Sequence, residues 1–219
     1  MNTEEGVIQF DLTHHHSSLD FQVKFQGSDP SFHLLNQWRN RLHQLGLIGV
    51  DPNRYHGIGF GNVSMRLVDH PSSFLITGSQ TGLIRELNLS HYCRIIHCDF
   101  QKHTLESEGE LLPSSESMTH AMMYQIDSRI QAVFHVHSPL IWNSTALDIP
   151  SSPDEIGYGT AEMTRCVRDL YYTTTLSQIG PHQSGGHLRM GGHQDGVISI
   201  GSNIEEVGQR LLDLWHQAH

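Results

Sequence analysis

The spacing of apolar positions along the chain predicts helices and strands joined by short loops. Apolar residues recur at helical spacing after Ser31, which can cap a helix that runs to about Gln44 and ends at Gly46. Residues 1 to 30 are polar and irregular. We therefore expect an N-terminal extension over residues 1 to 30 and one domain over residues 31 to 219. The apolar positions of the predicted helix are Phe32, Leu35, Trp38, Leu42 and Leu45.

Strand-like segments follow this helix. The sequences HGIGFGNVSMRL, FLITGSQTG and YCRIIHCDF each predict a strand, and VIQFDL and LDFQVKF in the extension predict two shorter ones. Several strands in a row come before the central helix of the chain. This order favours an antiparallel sheet with helices on its flanks over a repeated βαβ unit.

The segment from Pro113 to Pro139 contains the most informative pattern. Ser114 or Ser115 can cap a helix that has Glu116 in its first turn, and residues 131 to 137 follow as a buried strand. In an extended strand, His135 and His137 point to the same face. Two converging imidazoles beside a carboxylate at a helix start are what a catalytic metal site with an acid/base partner needs.

The C-terminal part predicts further helices around a loop-rich region. A short helix is predicted over residues 139 to 146, and Thr160 can cap a longer one that runs to about Tyr172. Residues 177 to 192 are rich in Gly and His and predict an exposed or site-lining loop, in which His182 and His187 face solvent. GVISI predicts a buried strand, and Asn203 with Glu206 predicts a capping box at the terminal helix.

Length, charge and cysteine content narrow the class of protein. A chain of 219 residues can bury a real core. The net charge of -10 argues against nucleic acid or an anionic membrane as the main partner, so an anionic substrate must be held by local groups. Three cysteines without a CxxC spacing indicate reduced thiols in a cytoplasmic protein. No apolar run approaches the roughly 18 residues of a membrane span.

Small polar residues and glycines predict an anion pocket without lysine or arginine. Glycines let the backbone approach a ligand, hydroxyl and amide groups donate hydrogen bonds, and the free N–H groups of a helix start favour a phosphate. The alternative is that these residues only form turns and caps. The candidates are Gly61, Asn62, Thr81, Gly82, Ser114 and Ser115.

Six motifs occur in an order that resembles the class II aldolase and adducin-like family, which includes fuculose-phosphate aldolase, ribulose-phosphate 4-epimerase and methylthioribulose-phosphate dehydratase. They are GNVSMR, FLITGSQTG, PSSESMTHAMMYQ, QAVFHVHSP, YGTAEM and GVISIGSNIEEV. The resemblance implies a three-layer α/β/α fold around a mainly antiparallel sheet and assembly as a homotetramer. It also implies a divalent metal, generally zinc, and a substrate phosphate held by the six candidate pocket residues.

The resemblance makes His135 and His137 two of the metal ligands and leaves the third open. In the family the last histidine commonly comes directly before a glycine and an apolar strand, and here Asp195 occupies that place before Gly196. His193 lies two residues earlier. We favour His193, because three neutral imidazoles keep the net positive charge that polarises a carbonyl, whereas Asp195 would suit iron or manganese as well as zinc.

The implied activity is that of a metal-dependent lyase. Glu116 matches the family's proton-shuttling glutamate, and nearby Met and Phe side chains favour a raised proton affinity for it. Aldol cleavage of a small phosphorylated ketose or hydroxy-carbonyl compound through a metal-stabilised enediolate is the leading hypothesis. Epimerisation and dehydration use the same site, and a non-catalytic adducin-like assembly module is the competing hypothesis. No residue is assigned as the second acid/base group.

Overall fold

An eight-stranded sheet forms the centre of the computed structural model, which describes residues 6–17, 30–67, 72–180, 183 and 185–219. The strand order is β1-β5-β4-β3-β2-β6-β8-β7. β1 pairs with β5 in parallel, and the other described pairings are antiparallel. The strands are β1 (Asp11–His16), β2 (Asn62–Arg66), β3 (Phe74–Thr77), β4 (Tyr92–Asp99), β5 (Thr104–Gly109), β6 (Ala132–His137), β7 (His187–Arg189) and β8 (Gly196–Gly201).

Helices cover both faces of the sheet. They are α1 (Pro30–Gln44), α2 (Ser117–Ile126), α3 (Pro139–Asn143), α4 (Ala161–Thr173) and α5 (Ile204–Gln217). Short 3-10 turns lie at Tyr55–Gly57, Thr81–Leu83, Leu89–His91 and Thr175–Ser177. α2 and α4 pack in one hydrophobic core, and α1, α3 and α5 pack in a second core on the opposite face. This three-layer α/β/α arrangement confirms the predicted fold class.

The alternation of side chains along the central strand β6 divides the two cores. Val133 belongs to the core of α2 and α4, and its neighbour Phe134 belongs to the core of α1, α3 and α5. His135 and His137 are therefore placed on the same side of the sheet as Val133, which is the side of α2. Every residue of β6 is buried, as expected for a strand covered by helices on both faces.

Most predicted elements are present, with small differences at their ends. α1 begins at Pro30, so Ser31 lies inside the helix. Thr160 caps α4 as predicted, because its side chain accepts a hydrogen bond from the Met163 N–H. Asn203 accepts from the Glu206 N–H, but the Glu206 carboxylate accepts from the Ser202 N–H, so the predicted capping box is only half formed.

Two strands of the sheet were not predicted. β5 has the polar sequence TLESEG, and it alternates between buried and partly exposed positions between β4 and β1. β7 lies in the segment that we predicted to be an exposed or site-lining loop. The prediction that His187 faces solvent is wrong, because residues 187–189 pair with Val197–Ser199 and the buried His187 Nδ1 lies 2.8 Å from Ser199 Oγ.

The remaining N-terminal and loop predictions have mixed outcomes. VIQFDL overlaps β1, whereas LDFQVKF and His182 lie outside the described residues. The three cysteines are free thiols, and Cys93 is buried. None of the helices in the described ranges is long and apolar enough to cross a membrane.

Substitution of Gly208 tests the packing of α5 on α1. A Cβ at this position would lie 2.2 Å from Cδ2 of Trp38 and 2.4 Å from two further ring atoms. Alanine gains about 1 kcal/mol of helix propensity over glycine, but forcing the indole aside costs more. We expect Gly208→Ala to lower the free energy of unfolding by about 2 kcal/mol.

Urea denaturation followed by circular dichroism measures this difference. The exposed neighbour Gln209 provides the matched control, since Gln209→Ala should change stability by less than about 0.5 kcal/mol. A Gly208→Ala variant as stable as the wild type would contradict the described contact between the two helices.

Two buried histidines outside the proposed metal ligands predict how stability depends on pH. Burial lowers the pKa of His120 and of His187 to about 3 each, so both rings stay neutral in the native state. The unfolded chain protonates them below a pH of about 6.5. The free energy of unfolding should therefore decrease as the pH falls from about 6 to about 4. Together these two histidines should contribute roughly 2.7 kcal/mol of that decrease per pH unit.

Denaturation at a series of pH values measures this slope. His187→Gln should reduce the slope of the unfolding free energy against pH by the contribution of roughly one proton. The same replacement at the exposed His97 is the control. An unchanged slope in His187→Gln would show that His187 takes up its proton in the native state.

Candidate active site

Three buried histidines meet at the end of β6. His135 and His137 project from the same face of the strand, and their Nε2 atoms lie 3.1 Å apart. The ring of His193 lies 5.0 Å from that of His135 and 4.7 Å from that of His137, measured between ring centroids. One ligand atom from each of the three residues lies within 4.8 Å of the other two. The structure therefore brings together the three histidines favoured from the sequence.

The turn between Met190 and β8 places His193. The His193 N–H donates to the Met190 carbonyl at 3.1 Å, and the Gly196 N–H donates to the His193 carbonyl at 2.9 Å. A Cβ at Gly196 would lie 3.1 Å from Cγ and Nδ1 of the His193 ring. Gly196 also pairs with His137 across the sheet. The glycine thus allows the imidazole to pack closely over the start of β8.

The histidine cluster suits a divalent metal such as zinc. His135 Nδ1 lies 3.3 Å from the Val197 carbonyl oxygen, which can only accept, so this nitrogen carries the proton and Nε2 presents a lone pair. Two nitrogens of a tetrahedral zinc site are about 3.3 Å apart, close to the 3.1 Å between the Nε2 atoms of His135 and His137. Burial lowers the pKa of His137 well below its usual range, with help from the neighbouring imidazoles of His193 and His135. Neutral buried imidazoles are the form that binds metal.

Asp195 lies beside the cluster but is bound to other groups. Its Oδ2 accepts from the Tyr55 hydroxyl at 2.5 Å and from Arg54 Nη2 at 3.2 Å. Arg54 also donates to the Tyr55 hydroxyl and stacks over the Tyr55 ring. Burial and the Asp195 carboxylate raise the pKa of the Tyr55 hydroxyl. Tyr55 packs edge-on against His137. Asp195 therefore contacts the histidine cluster indirectly, through its hydrogen bond with Tyr55.

Glu116 connects the histidines to the helix start. α2 begins at Ser117 with Glu116 as its N-cap residue, so the prediction of a serine cap with Glu116 inside the first turn is wrong by one to two residues. The Glu116 side chain makes no capping hydrogen bond, and its Oε1 instead lies 3.3 Å from His193 Nδ1. Glu116 as a whole is 1 % exposed. The helix therefore presents this carboxylate to the three clustered histidines.

The environment of Glu116 lowers its proton affinity, contrary to the expectation from sequence. Burial acts to raise the pKa of this carboxyl group. The close approach of His193, together with the nearby imidazoles of His135 and His120, outweighs burial and brings the pKa of Glu116 below its usual range. We expected apolar neighbours to dominate, but imidazoles surround the carboxylate. Glu116 is therefore ionised at neutral pH.

A pocket of about 350 Å³, including its open mouth, adjoins Glu116. Asn62 Nδ2 donates to Ser114 Oγ at 2.9 Å, which joins the start of β2 to the segment before α2. Gly6 and Gln80 also line the pocket. The walls contain all six candidates named from the sequence, which are Gly61, Asn62, Thr81, Gly82, Ser114 and Ser115.

A buried arginine lies behind this pocket. Arg39 of α1 is 1 % exposed and donates from Nη2 to the Thr81 carbonyl at 2.9 Å and from Nη1 to the Arg85 carbonyl at 2.8 Å. The C=O and N–H of a trans peptide point in opposite directions. Because the Thr81 carbonyl faces Arg39, the N–H of Gly82 is directed away from the guanidinium. The sequence did not suggest this arginine, since it lies on a helix that is far from the pocket residues in the chain.

The site therefore contains residues that the sequence reasoning did not identify. Arg54 and Tyr55 lie in a loop without recognisable periodicity. Tyr55 and Asp195 adopt left-handed backbone conformations with φ of 49° and 63°, which is uncommon for residues other than glycine and frequent at functional sites. Tyr158 belongs to the motif YGTAEM, and its ring stacks on His193 at 4.5 Å between centroids. The functional role of each site residue remains a prediction.

Comparison with known proteins places this arrangement among related folds. A model of the Class II Aldolase and Adducin N-terminal domain matches residues 50–212. None of the curated proteins compared with the chain matches it significantly. Among solved structures, L-fuculose 1-phosphate aldolase is similar with a TM-score of 0.62 and 19% identity, covering 88% of this chain and 84% of that one.

Two further solved structures have the same fold. YgbL from Escherichia coli, provisionally described as an aldolase, epimerase or decarboxylase, has a TM-score of 0.61 and 16% identity, and the match covers 85% of each chain. A sugar-phosphate aldolase from Thermotoga maritima has a TM-score of 0.60 and 16% identity, covering 86% of this chain and 91% of that one.

Metal titration distinguishes His193 from Asp195 as the third ligand. The His193 ring is part of the cluster, whereas Asp195 is bound to Tyr55 and Arg54. We expect wild-type protein, purified without a nickel column, to bind one zinc ion per chain, and His193→Ala to weaken binding by more than about 100-fold. Asp195→Asn should weaken it by about tenfold, the lower end of the roughly 10- to 100-fold loss that is typical of changes outside the direct ligands.

Competition with a chromophoric chelator measures these affinities. His187→Gln is the matched control, because His187 is an equally buried histidine that binds Ser199 and not the cluster. Strong zinc binding by His193→Ala together with its loss in Asp195→Asn would assign the third ligand to Asp195.

Proposed function

The chain belongs to the class II aldolase and adducin family, and from this premise we propose that it is a metal-dependent, aldolase-type lyase. Its substrate would be a small phosphorylated ketose or a related hydroxy-carbonyl compound. His135, His137 and His193 would hold the metal, for which zinc is our proposal. Epimerisation and dehydration are alternative reactions of the same site.

The position of Glu116 carries this proposal. Its carboxylate lies 3.3 Å from His193 and also lines the pocket that contains Ser114 and Ser115. A substrate with its phosphate in the pocket would therefore direct the rest of its short carbon chain past Glu116 towards the histidines. This arrangement suits a compound with an anionic group at one end and a carbonyl near the other.

The pocket can bind a phosphate through neutral donors. Asn62, Thr81 and Ser115 offer side-chain amide and hydroxyl groups, and the glycines permit close approach of backbone N–H groups. The buried charge of Arg39 lies behind the Thr81 carbonyl and favours an anion in the pocket. A net charge of -10 makes such a local arrangement necessary for an anionic substrate.

Glu116 would move the proton during the reaction. Its lowered pKa keeps it ionised and able to accept a proton, but also makes it a weak base. When bound, a divalent metal polarises the substrate carbonyl and stabilises the negative charge that develops on its oxygen. Glu116 would then remove or return a proton at an adjacent carbon or oxygen that has become more acidic.

We keep the lyase as the leading proposal. Two of the similar structures are named as aldolases, L-fuculose 1-phosphate aldolase and a sugar-phosphate aldolase, and both share the fold of this chain. By the family resemblance we also propose assembly as a homotetramer. The competing function is a non-catalytic assembly module, and the retention of a buried carboxylate against three clustered histidines disfavours it.

Glu116→Gln tests the proton-transfer role. The amide keeps the size of the side chain but cannot accept a proton at neutral pH, so kcat should decrease by about 100- to 10,000-fold. A panel of ketose phosphates with added zinc, assayed for aldehyde release, identifies the substrate for this comparison. Metal content should stay within about twofold of wild type, since the three histidines are unchanged.

Gln209→Ala, which is exposed on α5, serves as the activity control. Loss of activity only in Glu116→Gln supports the assigned role. Turnover of no panel member by a zinc-loaded wild-type protein would contradict the lyase proposal, and absence of bound zinc would favour the assembly module.

A further inference from the structure

The segment before β1 lies against the candidate active site although it precedes the part of the chain that matches the family. This N-terminal segment, defined here as residues 6–10, reaches both the pocket and the tyrosine that stacks on His193. We propose that the N-terminal segment is a wall of the active site that positions His193 through Tyr158. The inference rests on the proposed function only where it treats His193 as a metal ligand. The contacts of the N-terminal segment with Tyr158 and the pocket do not depend on that function.

Tyr158 is held by the N-terminal segment at two points. The Val7 N–H donates to the Tyr158 hydroxyl at 3.1 Å, and Gln9 Nε2 donates to the Tyr158 carbonyl at 2.9 Å. Both the ring end and the backbone end of the tyrosine are thereby fixed. These contacts join positions that are about 150 residues apart in the sequence.

Tyr158 transmits this restraint to His193. The two rings are stacked with an interplanar angle of 29° and a centroid distance of 4.5 Å, and Tyr158 is 2 % exposed. A stacked neighbour restricts rotation of the imidazole. Because a metal site needs its ligands within narrow limits of position and angle, a fixed Tyr158 makes His193 a better ligand. Tyr158 is in this sense a positioning residue.

The beginning of the segment closes one side of the pocket. Gly6 has φ of 78°, and a Cβ there would lie 2.5 Å from Gln80 Nε2 and 3.0 Å from Ile58 Cγ2. Only glycine permits this approach without displacement of its neighbours. Gln80 Oε1 in turn accepts from the Gly59 N–H at 3.1 Å. The segment, Gln80 and Gly59 thus form a continuous side of the pocket and limit the size of the bound group.

β1 anchors the segment to the sheet. Phe10 is buried in the core with α2 and α4, and the Asp11 N–H donates to the His103 carbonyl at 3.1 Å. The His103 ring also lies 3.0 Å from the Gly159 carbonyl, next to Tyr158. The parallel pairing of β1 with β5 then continues to His16. The segment is therefore fixed at its C-terminal end, where it passes the tyrosine.

Hydrogen–deuterium exchange of the metal-free protein tests the inference without reference to activity. Tyr158→Phe removes the hydroxyl but keeps the ring, and Val7→Pro removes the N–H but keeps the hydroxyl. We expect each to accelerate exchange of the His193 and Gly196 amides by at least threefold. The double variant should equal the faster single variant, because both changes break the same hydrogen bond.

Zinc release to a chelator provides the second measurement. Each single variant should release zinc about three- to tenfold faster than wild type. His15→Ala is the control for β1 itself, since the exposed His15 binds Glu106 at a distance from the site, and it should change neither rate. Amide exchange in α5 should also stay constant in all variants.

The outcomes separate this inference from the proposed function. Unchanged His193 and Gly196 exchange in Tyr158→Phe overturns the inference, even where zinc binding and turnover are normal. An increase that extends to α5 also overturns it, because it indicates a general loss of stability. Faster exchange confined to the His193 turn supports the inference even where the wild-type protein binds no zinc, in which case the proposed function alone fails.

Discussion

The pairing of β6 with its two neighbours is the constraint on which the site depends. His135 lies opposite Asn62 on β2 and Ile198 on β8, and His137 lies opposite Gly196. A shift of one residue would turn both imidazoles to the other face of the sheet, into the apolar layer of α1, α3 and α5. The alternation of Val133 and Phe134 between the two cores opposes such a shift. Core packing thus sets the position of His135 and His137.

The site accumulates groups that are unfavourable in a protein interior. Glu116, His135, His137 and His193 are nearly or fully buried within one cluster, and Tyr55 and Asp195 have left-handed backbones beside it. Buried charge and backbone strain of this kind each cost stability, and they persist where the surrounding structure determines them. The two large cores on either side of the sheet offset this cost. The sheet and its two cores thus form a scaffold that holds the buried Glu116 carboxylate and the three histidines in a fixed arrangement.

Local patterns made part of this structure predictable from sequence. The shared face of His135 and His137 follows from strand alternation alone, and the cap at Thr160 follows from its neighbours. β5 escaped detection because its buried positions alternate with charged ones and include few apolar residues. The Glu116 pKa was misjudged because His193 approaches it from nearly 80 positions away in the chain. The contacts of Val7 and Gln9 with Tyr158 could not be predicted, because each joins a side-chain group to a backbone group about 150 positions away and a backbone partner leaves no pattern in the sequence.

With a phosphate bound as we propose, the buried guanidinium behind the pocket would couple ligand binding to folding. Arg39 is bonded to carbonyl and amide oxygens, and within the described part of the chain no carboxylate pairs with it. Such a charge retains part of its desolvation cost in the folded protein. A phosphate on the other side of the Thr81–Gly82 peptide would act as its counter-ion. The ligand that the pocket recognises would then also serve as a stabilising component of the fold, comparable to a structural ion.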